Sequence, residues 1–173
     1  MRLFIAINFS PDARSRLLAL QSELRSKSER GDFTLPENIH LTLVFLGECS
    51  LKQCAAAKAA MDAVCFEPFS IEVDRMGYFG RGDGNIWWAG VRESRPMLEL
   101  QRELTNKLAG HGFAPENRRY SPHITLGRRV VTGADGWKIE PFSEAVKSIE
   151  LMKSERIQGK LTYTCLASKA ARL

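Results

Sequence analysis

Apolar and polar residues alternate along this chain with two different periods, and these periods predict short strands separated by amphipathic helices. The chain opens on an apolar strand from Leu3 to Asn8, followed by Ser10-Pro11, a helix N-cap with proline at the first helical position. The apolar residues after this cap recur at helical spacing, at Ala13, Leu17, Leu20 and Leu24. A polar stretch from Ser26 to Asp32 ends the helix, and a second strand is predicted from about Ile39 to Leu46.

The rest of the chain predicts two further helices and five further strands. Ser50 and Gln53 form a capping-box pattern that opens the second helix, and Pro68 prevents its continuation. The third helix runs from Ser94 to Ala109. The five strands are predicted at about Phe69–Val73, Ile86–Val91, His123–Val131, Val146–Met152 and Leu161–Ala167. Helices alternate with strands, but the hairpin-like strand pairs near the C-terminus favour an α+β fold with mainly antiparallel sheets.

An internal repeat divides the chain into two similar halves. A strand, a serine-capped helix, a polar loop and a His-x-Thr strand occur from Leu3 to Leu46 and again from Ile86 to Val131. The capping serine precedes the histidine by 30 residues in the first copy and by 29 in the second. We therefore expect residues 1–173 to form a single bilobal domain with repeat-like halves of roughly 1–80 and 84–173. Two pseudo-symmetric lobes would then flank a central cleft, with the helices on the outside.

Composition and charge narrow the class of protein. Of the 173 residues, 44% are hydrophobic and 26% are charged, as in ordinary globular proteins, and a chain of this length buries a core without needing disulfides or metals. No apolar run approaches the ~20 residues of a membrane span. The apolar start is too short for a signal peptide, so we expect a cytoplasmic protein with no membrane association. The net charge of +5 permits a polyanionic partner such as nucleic acid without requiring one.

The four cysteines, Cys49, Cys54, Cys65 and Cys165, carry no redox or zinc motif. No C-x-x-C pair is present among them. We therefore expect all four to be reduced residues of the core or of a helix face.

Two of the three histidines lie in a repeated His-x-Thr pattern. In a strand, residues i and i+2 share a face, so His40 and Thr42 should point one way, and His123 and Thr125 should do the same in the second copy. The opposite, core-facing sides should hold Leu41, Leu43 and Phe45 in the first strand and Ile124 and Leu126 in the second. The third histidine, His111, lies between two glycines and is expected at an exposed helix end.

A histidine and a hydroxyl from each lobe are suitable groups for displacement at phosphorus. Imidazole titrates near pH 6.5, so it can take or give a proton under physiological conditions. In-line displacement needs a base beside the entering oxygen and an acid beside the leaving oxygen, and one histidine from each lobe meets this requirement. The threonine hydroxyls can hold the non-bridging oxygens or steer the rings. The scheme needs no metal, and the sequence has neither an H-x-x-x-H pair nor a glycine-rich nucleotide loop, so no cofactor is expected.

A cationic group is also expected beside the phosphate, because negative charge builds on its oxygens. The candidates that bracket the second motif are Arg118, Arg119, Arg128 and Arg129. Strict alternation would place Arg129 rather than Arg128 on the face of the second histidine, unless a bulge follows Gly127. Arg118 and Arg119 are more typical of a solvated basic rim. The pattern singles out no aromatic residue for stacking on a base.

The sequence resembles the bacterial and archaeal RNA 2′,3′-cyclic phosphodiesterases, also called 2′-5′ RNA ligases, of the two-histidine phosphoesterase superfamily. The segments that carry the resemblance are Arg2-Leu3-Phe4-Ile5-Ala6-Ile7, Asn38-Ile39-His40-Leu41-Thr42-Leu43 with Phe45-Leu46-Gly47-Glu48, Trp88-Ala89-Gly90, and Arg119-Tyr120-Ser121-Pro122-His123-Ile124-Thr125-Leu126 with Arg128. They occur in the family's order and span essentially the whole chain. The family implies a bilobal α+β fold with a cleft between two antiparallel sheets.

The resemblance implies hydrolysis of a terminal 2′,3′-cyclic phosphate on RNA to a 2′-phosphomonoester. It implies that His40 donates a proton to the departing 3′ oxygen and that His123 accepts a proton from water. Thr42 and Thr125 correspond to threonines of the family that contact the phosphate. Arg128 corresponds to the family's arginine after the second motif, whereas simple alternation would favour Arg129. The family's reverse reaction joins RNA ends through a 2′-5′ linkage. Because water is present at about 55 M, hydrolysis is expected to dominate unless a second RNA end is held in place.

Two other functions remain open from the sequence. One is a non-catalytic RNA-binding module, which the matched histidine–threonine pairs disfavour. The other keeps the chemistry but acts on a small cyclic phosphate, such as a nucleotide or an ADP-ribose derivative. The natural RNA is not defined by the sequence, and nothing in it demands more than a monomer.

Overall fold

Nine strands, three α-helices and one short 3-10 helix make up the computed structural model, which describes all residues from 1 to 173. The strands are β1 (Arg2–Ile7), β2 (Ser28–Phe33), β3 (Leu41–Glu48), β4 (Phe69–Phe79), β5 (Asn85–Val91), β6 (His123–Thr132), β7 (Trp137–Val146), β8 (Ser148–Ile157) and β9 (Lys160–Ala170). The helices are α1 (Pro11–Ser26), α2 (Leu51–Asp62) and α3 (Arg95–Gly110), and the 3-10 helix spans Pro36–Asn38. None of the helices has the length and apolar character needed to cross a membrane.

The nine strands form two antiparallel sheets. The first sheet has the strand order β3-β1-β8-β9, and the second has the order β2-β6-β5-β4-β7. Strands β3 and β6, which carry the His-x-Thr motifs, each lie beside the strand that opens their own repeat, β1 and β5 respectively. The predicted α+β class with mainly antiparallel sheets is confirmed, and β6-β5-β4-β7 repeats the arrangement of β3-β1-β8-β9.

The helices cover the apolar faces of the sheets. Helix α1 packs against strands β2, β6 and β7 of the second sheet, while α3 packs against α2 and against β3 of the first. The buried residues of α3 are those that the helical spacing predicts, Met97, Leu100, Leu104 and Leu108. The predicted capping box at Ser50 and Gln53 is present at the start of α2. The opposite sheet faces, which carry the two histidines, are called the cleft faces below.

The two sequence halves interleave in space. The first sheet completes β1 and β3 with β8 and β9 from the end of the chain, and the second sheet takes β2 and β4 from the first half. Helix α1 of the first repeat packs on the second sheet, and α3 of the second repeat packs on β3. The apolar faces of both sheets merge into one hydrophobic core. The repeat therefore describes two equivalent motifs rather than two spatially separate halves.

Two strands are not predicted by the apolar pattern. Strand β2 lies in the stretch that the pattern assigns to a polar loop, and β7 lies in a segment with no predicted strand. Both are edges of the second sheet. Most side chains of β2 are exposed or half-buried, so no apolar alternation marks that strand, and in β7 Pro141 interrupts the alternation that Trp137 and Ile139 begin. Pairing of their backbones with β6 and β4 defines these strands.

The prediction that Phe45 faces the core is wrong. The ladder between β1 and β3 shifts register after Ile5, which gives β3 one extra residue. As a result Leu43 and Val44 are both buried, and Phe45 pairs with Phe4 on the cleft face, where it is 47% exposed. The inserted residue moves the side chains that follow it to the other face, up to the second register shift between Phe45 and Gly47.

The four cysteines are all free. Cys49 and Cys54 are buried, as predicted. Cys65 and Cys165 are exposed, because Cys65 follows the end of α2 and Cys165 lies on the edge strand β9.

Candidate active site

His40 precedes β3, and two hydrogen bonds orient its ring. Its Nδ1 donates to the backbone carbonyl oxygen of Asn38 at 2.7 Å, which places a proton on Nδ1 because a carbonyl can only accept. Its Nε2 lies 2.9 Å from Oγ1 of Thr42. In the neutral ring the threonine hydroxyl donates to Nε2, and in the charged ring Nε2 becomes the donor. Nε2 is therefore the nitrogen that can exchange a proton.

The segment before His40 is fastened to the opposite edge of its own sheet. The buried side chain of Asn38 donates from Nδ2 to the backbone oxygen of Leu161 in β9 at 2.9 Å. Glu37 and Lys160 form an ion pair at 2.5 Å between the same two segments. The first sheet thus curls until β9 reaches the start of β3, and the carbonyl that orients His40 is held in place.

His123 is the first residue of β6 and repeats the local geometry of His40. Its Nδ1 donates to the backbone oxygen of Ser121 at 2.7 Å, again a carbonyl two residues earlier in the chain. Its Nε2 has no hydrogen-bond partner in the protein. Thr125 lies two residues further along β6 on the same face, but it does not bond to the ring. The second histidine therefore offers an unoccupied Nε2.

Aromatic rings pack against both histidines. The His40 ring lies 4.8 Å from the ring of Phe4 and 5.3 Å, edge-on, from that of Tyr163. Phe79 and Trp88 pack against the His123 ring at 5.0 and 6.3 Å. These distances join ring centroids. The rings remove water from the imidazoles and limit their rotation. Sequence reasoning missed this role of Phe4, Phe79 and Tyr163, although their alternation within strands could have placed them on the cleft faces.

Burial and positive charge lower the pKa of both histidines. Burial is the largest cause in each case, and the hydrogen bonds to the Asn38 and Ser121 carbonyls oppose it by favouring the charged ring. The positive charge of Arg128 lowers the pKa of both rings further. The charge of His123 also lowers the pKa of His40, and the charge of Arg118 lowers that of His123. The positive charge of Arg128 therefore acts on both rings.

An irregularity in β6 follows Gly127, in the segment of Arg128 and Arg129. Arg129 has φ of 49°, a left-handed conformation, and the ladder between β2 and β6 shifts register at this point. Its Nε donates to Oδ2 of Asp32 on the edge strand β2 at 2.6 Å. The backbone of Arg129 packs so closely on Gly84 that a Cβ there would lie 2.5 Å from the Arg129 carbonyl carbon. Simple alternation fails here because the strand is irregular after Gly127.

Tyr120 joins the two motifs directly. Its hydroxyl donates to the backbone oxygen of Thr42 at 2.8 Å, so the loop before His123 is bonded to β3. Burial raises the pKa of Tyr120, and its hydroxyl therefore remains a donor. This bond fixes the approach of the two sheets beside the cleft.

The remaining predicted site residues lie at the periphery. Arg118 pairs with Glu116 at 2.5 Å and Arg119 with Glu93 at 2.8 Å, and both are largely exposed, as expected for a solvated rim. His111 is exposed at the end of α3, as predicted. No group of three or more His, Cys, Asp or Glu side chains is arranged to hold a metal ion.

Two antiparallel sheets, each with a His-x-Thr strand on its cleft face, define a two-histidine protein of the phosphoesterase type. The family model of the 2′-5′ RNA ligase superfamily matches residues 22–155. The chain belongs to this family.

Named relatives and solved structures agree with this membership. An RNA 2′,3′-cyclic phosphodiesterase of Thermotoga maritima is 34% identical over 141 residues, which cover 80% of this chain and 74% of the relative. An RNA 2′,3′-cyclic phosphodiesterase of Escherichia coli is 29% identical over 170 residues, covering 95% and 93%. The crystal structure of E. coli LigT complexed with 3′-AMP is similar with a TM-score of 0.84 and 27% identity, covering 99% of this chain and 98% of that one.

Proposed function

We propose that this protein is an RNA 2′,3′-cyclic phosphodiesterase that opens the cyclic phosphate at an RNA 3′ end to a 2′-phosphomonoester without a metal. The observation that carries the proposal is the pair of histidines with matched Nδ1 anchors and exchangeable Nε2 atoms, beside one shared arginine. The names of relatives similar over most of the chain support the same activity.

In the proposed reaction, water attacks phosphorus as the bond to the 3′ oxygen breaks. Nε2 of His123 accepts a proton from the attacking water, and Nε2 of His40 donates a proton to the departing 3′ oxygen. The product is the 2′-phosphomonoester with a free 3′-hydroxyl, and the two histidines exchange their protonation states. Each proton transfer contributes about 10²–10⁴ in rate. The assignment of acid and base follows the family resemblance.

The bound phosphate is proposed to prepare His40 for this role. Without substrate the lowered pKa values leave both rings mainly neutral at pH 7. A phosphate anion between them favours the charged form of the ring that donates to it. Thr42 and Thr125 are proposed to contact the non-bridging oxygens, and Arg128 to balance the charge that develops on them. These contacts require no metal and no cofactor.

Ligation is the same chemistry with a 5′-hydroxyl in place of water, and we propose it as a minor activity. Water at about 55 M competes with any RNA end that is not held in the cleft. Because one chain supplies both histidines, a monomer is sufficient for the reaction, and we propose a cytoplasmic monomer.

The test uses an oligoribonucleotide with a 2′,3′-cyclic phosphate end in the presence of EDTA. Wild type should release the 2′-phosphate, and His40→Ala and His123→Ala should each lower kcat/KM by about 10²–10⁴. His111→Ala is the matched control, because it removes the one histidine outside the cleft, and it should retain full activity. Binding of this RNA without hydrolysis by wild type would favour a non-catalytic RNA-binding module. Dependence on added metal would contradict the proposed mechanism.

A further inference from the structure

An exposed aromatic ring lies on the cleft face of the first sheet without contributing to the core. Phe45 is 47% exposed and pairs across the ladder with Phe4, whose ring contacts His40. The bulge in β3 is what turns Phe45 to this face. A phenylalanine whose whole ring is buried in the core stabilises the fold, and Phe45 gives up part of that stabilisation by lying at the surface.

A cation without an acidic partner lies over the same ring. The guanidinium carbon of Arg2 is 5.1 Å from the centroid of Phe45. Arg2 is exposed and forms no ion pair, whereas the acidic residue opposite it, Glu48, pairs with the amino terminus of Met1 at 3.4 Å. The positive charge of Arg2 is therefore available to an external anion.

The Phe45–Arg2 pair is continuous with the candidate active site. Tyr163 packs edge-on against His40, and its hydroxyl has no hydrogen-bond partner in the protein. The Tyr163 ring also packs edge-on against Phe4 at 5.0 Å between ring centroids, and Phe4 pairs across the ladder with Phe45. A ligand phosphate at Arg128 thus meets an aromatic and cationic surface that leads along the sheet to Phe45.

The aromatic residue Trp88, which packs against His123 on the cleft face of the second sheet, is already covered by other residues. The Trp88 ring lies against Gly77, where a Cβ would come within 2.3 Å of it, and Phe79 packs on it at 5.4 Å. Arg75, which lies 5.8 Å from the Trp88 ring, is paired with Asp74 at 2.7 Å. The Trp88–Arg75 pair is therefore not available to a ligand in the way that Phe45 and Arg2 are.

We propose that Phe45 and Arg2 form a subsite for the nucleotide that precedes the cyclic phosphate, with the base stacked on Phe45 and its phosphate paired with Arg2. Binding sites for single-stranded nucleic acids combine aromatic rings with cationic side chains. Every base can stack on an aromatic ring, and every phosphodiester linkage carries a negative charge that a cation can pair with. Phe45 lies about 10 Å along β3 from Thr42, so a bound mononucleotide ends before it and an RNA end reaches it. The inference rests on the proposed function and identifies the substrate as RNA rather than a small cyclic phosphate.

The experiment compares two substrates with the same terminal base, a 2′,3′-cyclic mononucleotide and a tetraribonucleotide that ends in the same cyclic phosphate. For each protein the readout is the ratio of kcat/KM for the tetranucleotide to kcat/KM for the mononucleotide. Phe45→Ala should lower this ratio about 5- to 100-fold, mainly through KM, and Phe45→Trp should restore it. Leu51→Ala is the matched control, because Leu51 is 80% exposed on α2 and its removal should leave the ratio unchanged.

Arg2 is tested through salt dependence. Arg2→Ala should lower the tetranucleotide kcat/KM and reduce the slope of its logarithm against the logarithm of salt concentration by about 0.7, the value for one lost contact to single-stranded nucleic acid. Arg102→Ala, which removes an exposed arginine from α3, should leave the slope unchanged.

The outcomes separate this inference from the proposed function. Equal losses on both substrates, or a ratio that does not change in Phe45→Ala, would overturn the subsite while the cyclic phosphodiesterase activity stands. If wild type hydrolyses neither substrate, the proposed function fails, and the subsite is then judged by fluorescence anisotropy of a tetraribonucleotide that ends in a 2′-phosphate. Weaker binding to Phe45→Ala than to wild type and Leu51→Ala would uphold the subsite, and equal binding would overturn it.

Discussion

The two histidine sites share a backbone design but differ in their surroundings. In both, Nδ1 donates to the carbonyl two residues earlier at 2.7 Å. At His40, however, Nε2 is occupied by the Thr42 hydroxyl, and the residue that supplies the carbonyl is tied to β9. At His123, Nε2 has no protein partner, and the carbonyl belongs to an exposed loop serine. The two copies of the motif therefore differ: the His40 ring is hydrogen-bonded at both nitrogens, whereas Nε2 of His123 is free to contact a ligand or water.

This difference suits a division of roles between the histidines. A proton donor benefits from a second group that keeps its Nε2 aimed at the leaving oxygen, whereas a base must leave room for water beside its Nε2. Arg128 is the element that the two sites share, because its charge lowers the pKa of both rings. The following variants, ordered by the size of the expected effect, test the shared and the unshared parts of the arrangement.

Removal of the shared cation should have the largest effect. Arg128→Ala is expected to lower kcat/KM about 10²–10³-fold, because a group that balances developing charge is lost from a partly dry site. Arg128→Lys should lie between this variant and wild type, since it keeps the charge but loses the planar fork. Arg129→Ala is the matched control: it breaks an exposed pair with Asp32 and should change activity less than twofold. The reverse order of the Arg128 and Arg129 effects would show that the bulge does not direct Arg128 to the cleft.

Substitutions of the two threonines should have different effects at the two histidine sites. Thr42→Val is expected to lower kcat/KM about 2- to 12-fold more than Thr125→Val, because it also removes the hydrogen bond to Nε2 of His40. Nuclear magnetic resonance titration should show a changed His40 pKa in Thr42→Val and an unchanged His123 pKa in Thr125→Val. Thr42→Ser, which keeps the hydroxyl, should behave almost as wild type. Equal losses in both valine variants would mean that the threonines act on the phosphate alone.

The hydrogen bond between Tyr120 and the Thr42 carbonyl, which links the two sites, should contribute to the free energy of unfolding. Tyr120→Phe removes one hydroxyl from the bond to the Thr42 carbonyl and should lower the free energy of unfolding by about 0.5–1.5 kcal/mol. Chemical denaturation measures this loss. Tyr78→Phe, at an exposed tyrosine outside the cleft, serves as the control and should change stability by less than about 0.5 kcal/mol. A Tyr120→Phe protein as stable as wild type would show that the bridge contributes nothing to joining the sheets.

The smallest effect is expected in the pH dependence of stability. Both histidines have a pKa below the unfolded value near 6.5, so the unfolded chain binds more protons between the two values. Their contribution to stability is therefore fully present above about pH 6.5 and decreases as the pH falls through the native pKa. His40→Gln should flatten this decrease more than His123→Gln, because His40 is the more deeply buried ring. His111→Gln controls for loss of a histidine, and a curve for His40→Gln that is as steep as that of wild type would contradict the expectation.

Local spacing predicted the parts of the fold that depend on near neighbours. The four buried positions of α3 and the capping box of α2 were predicted correctly, because residues three or four apart share a helix face whatever lies opposite. The strands of both His-x-Thr motifs were also predicted, because the side chains on their core-facing sides are apolar. Strands β2 and β7 were not, because an edge strand is defined by the partner to which its backbone bonds and need not bury its side chains.

By itself, the sequence determined the three helices, the duplicated His-x-Thr strands and the chemistry that those residue types permit. The tertiary structure alone decided that Phe45 faces the cleft, and that Arg129 pairs with Asp32 while the charge of Arg128 acts on both histidines. It also decided that the two halves interleave and that one ring is held more firmly than the other. The physical reason is that a helix face and a strand face follow from spacing of a few residues. A bulge, an edge strand and the burial of a ring depend on partners that are distant in the chain.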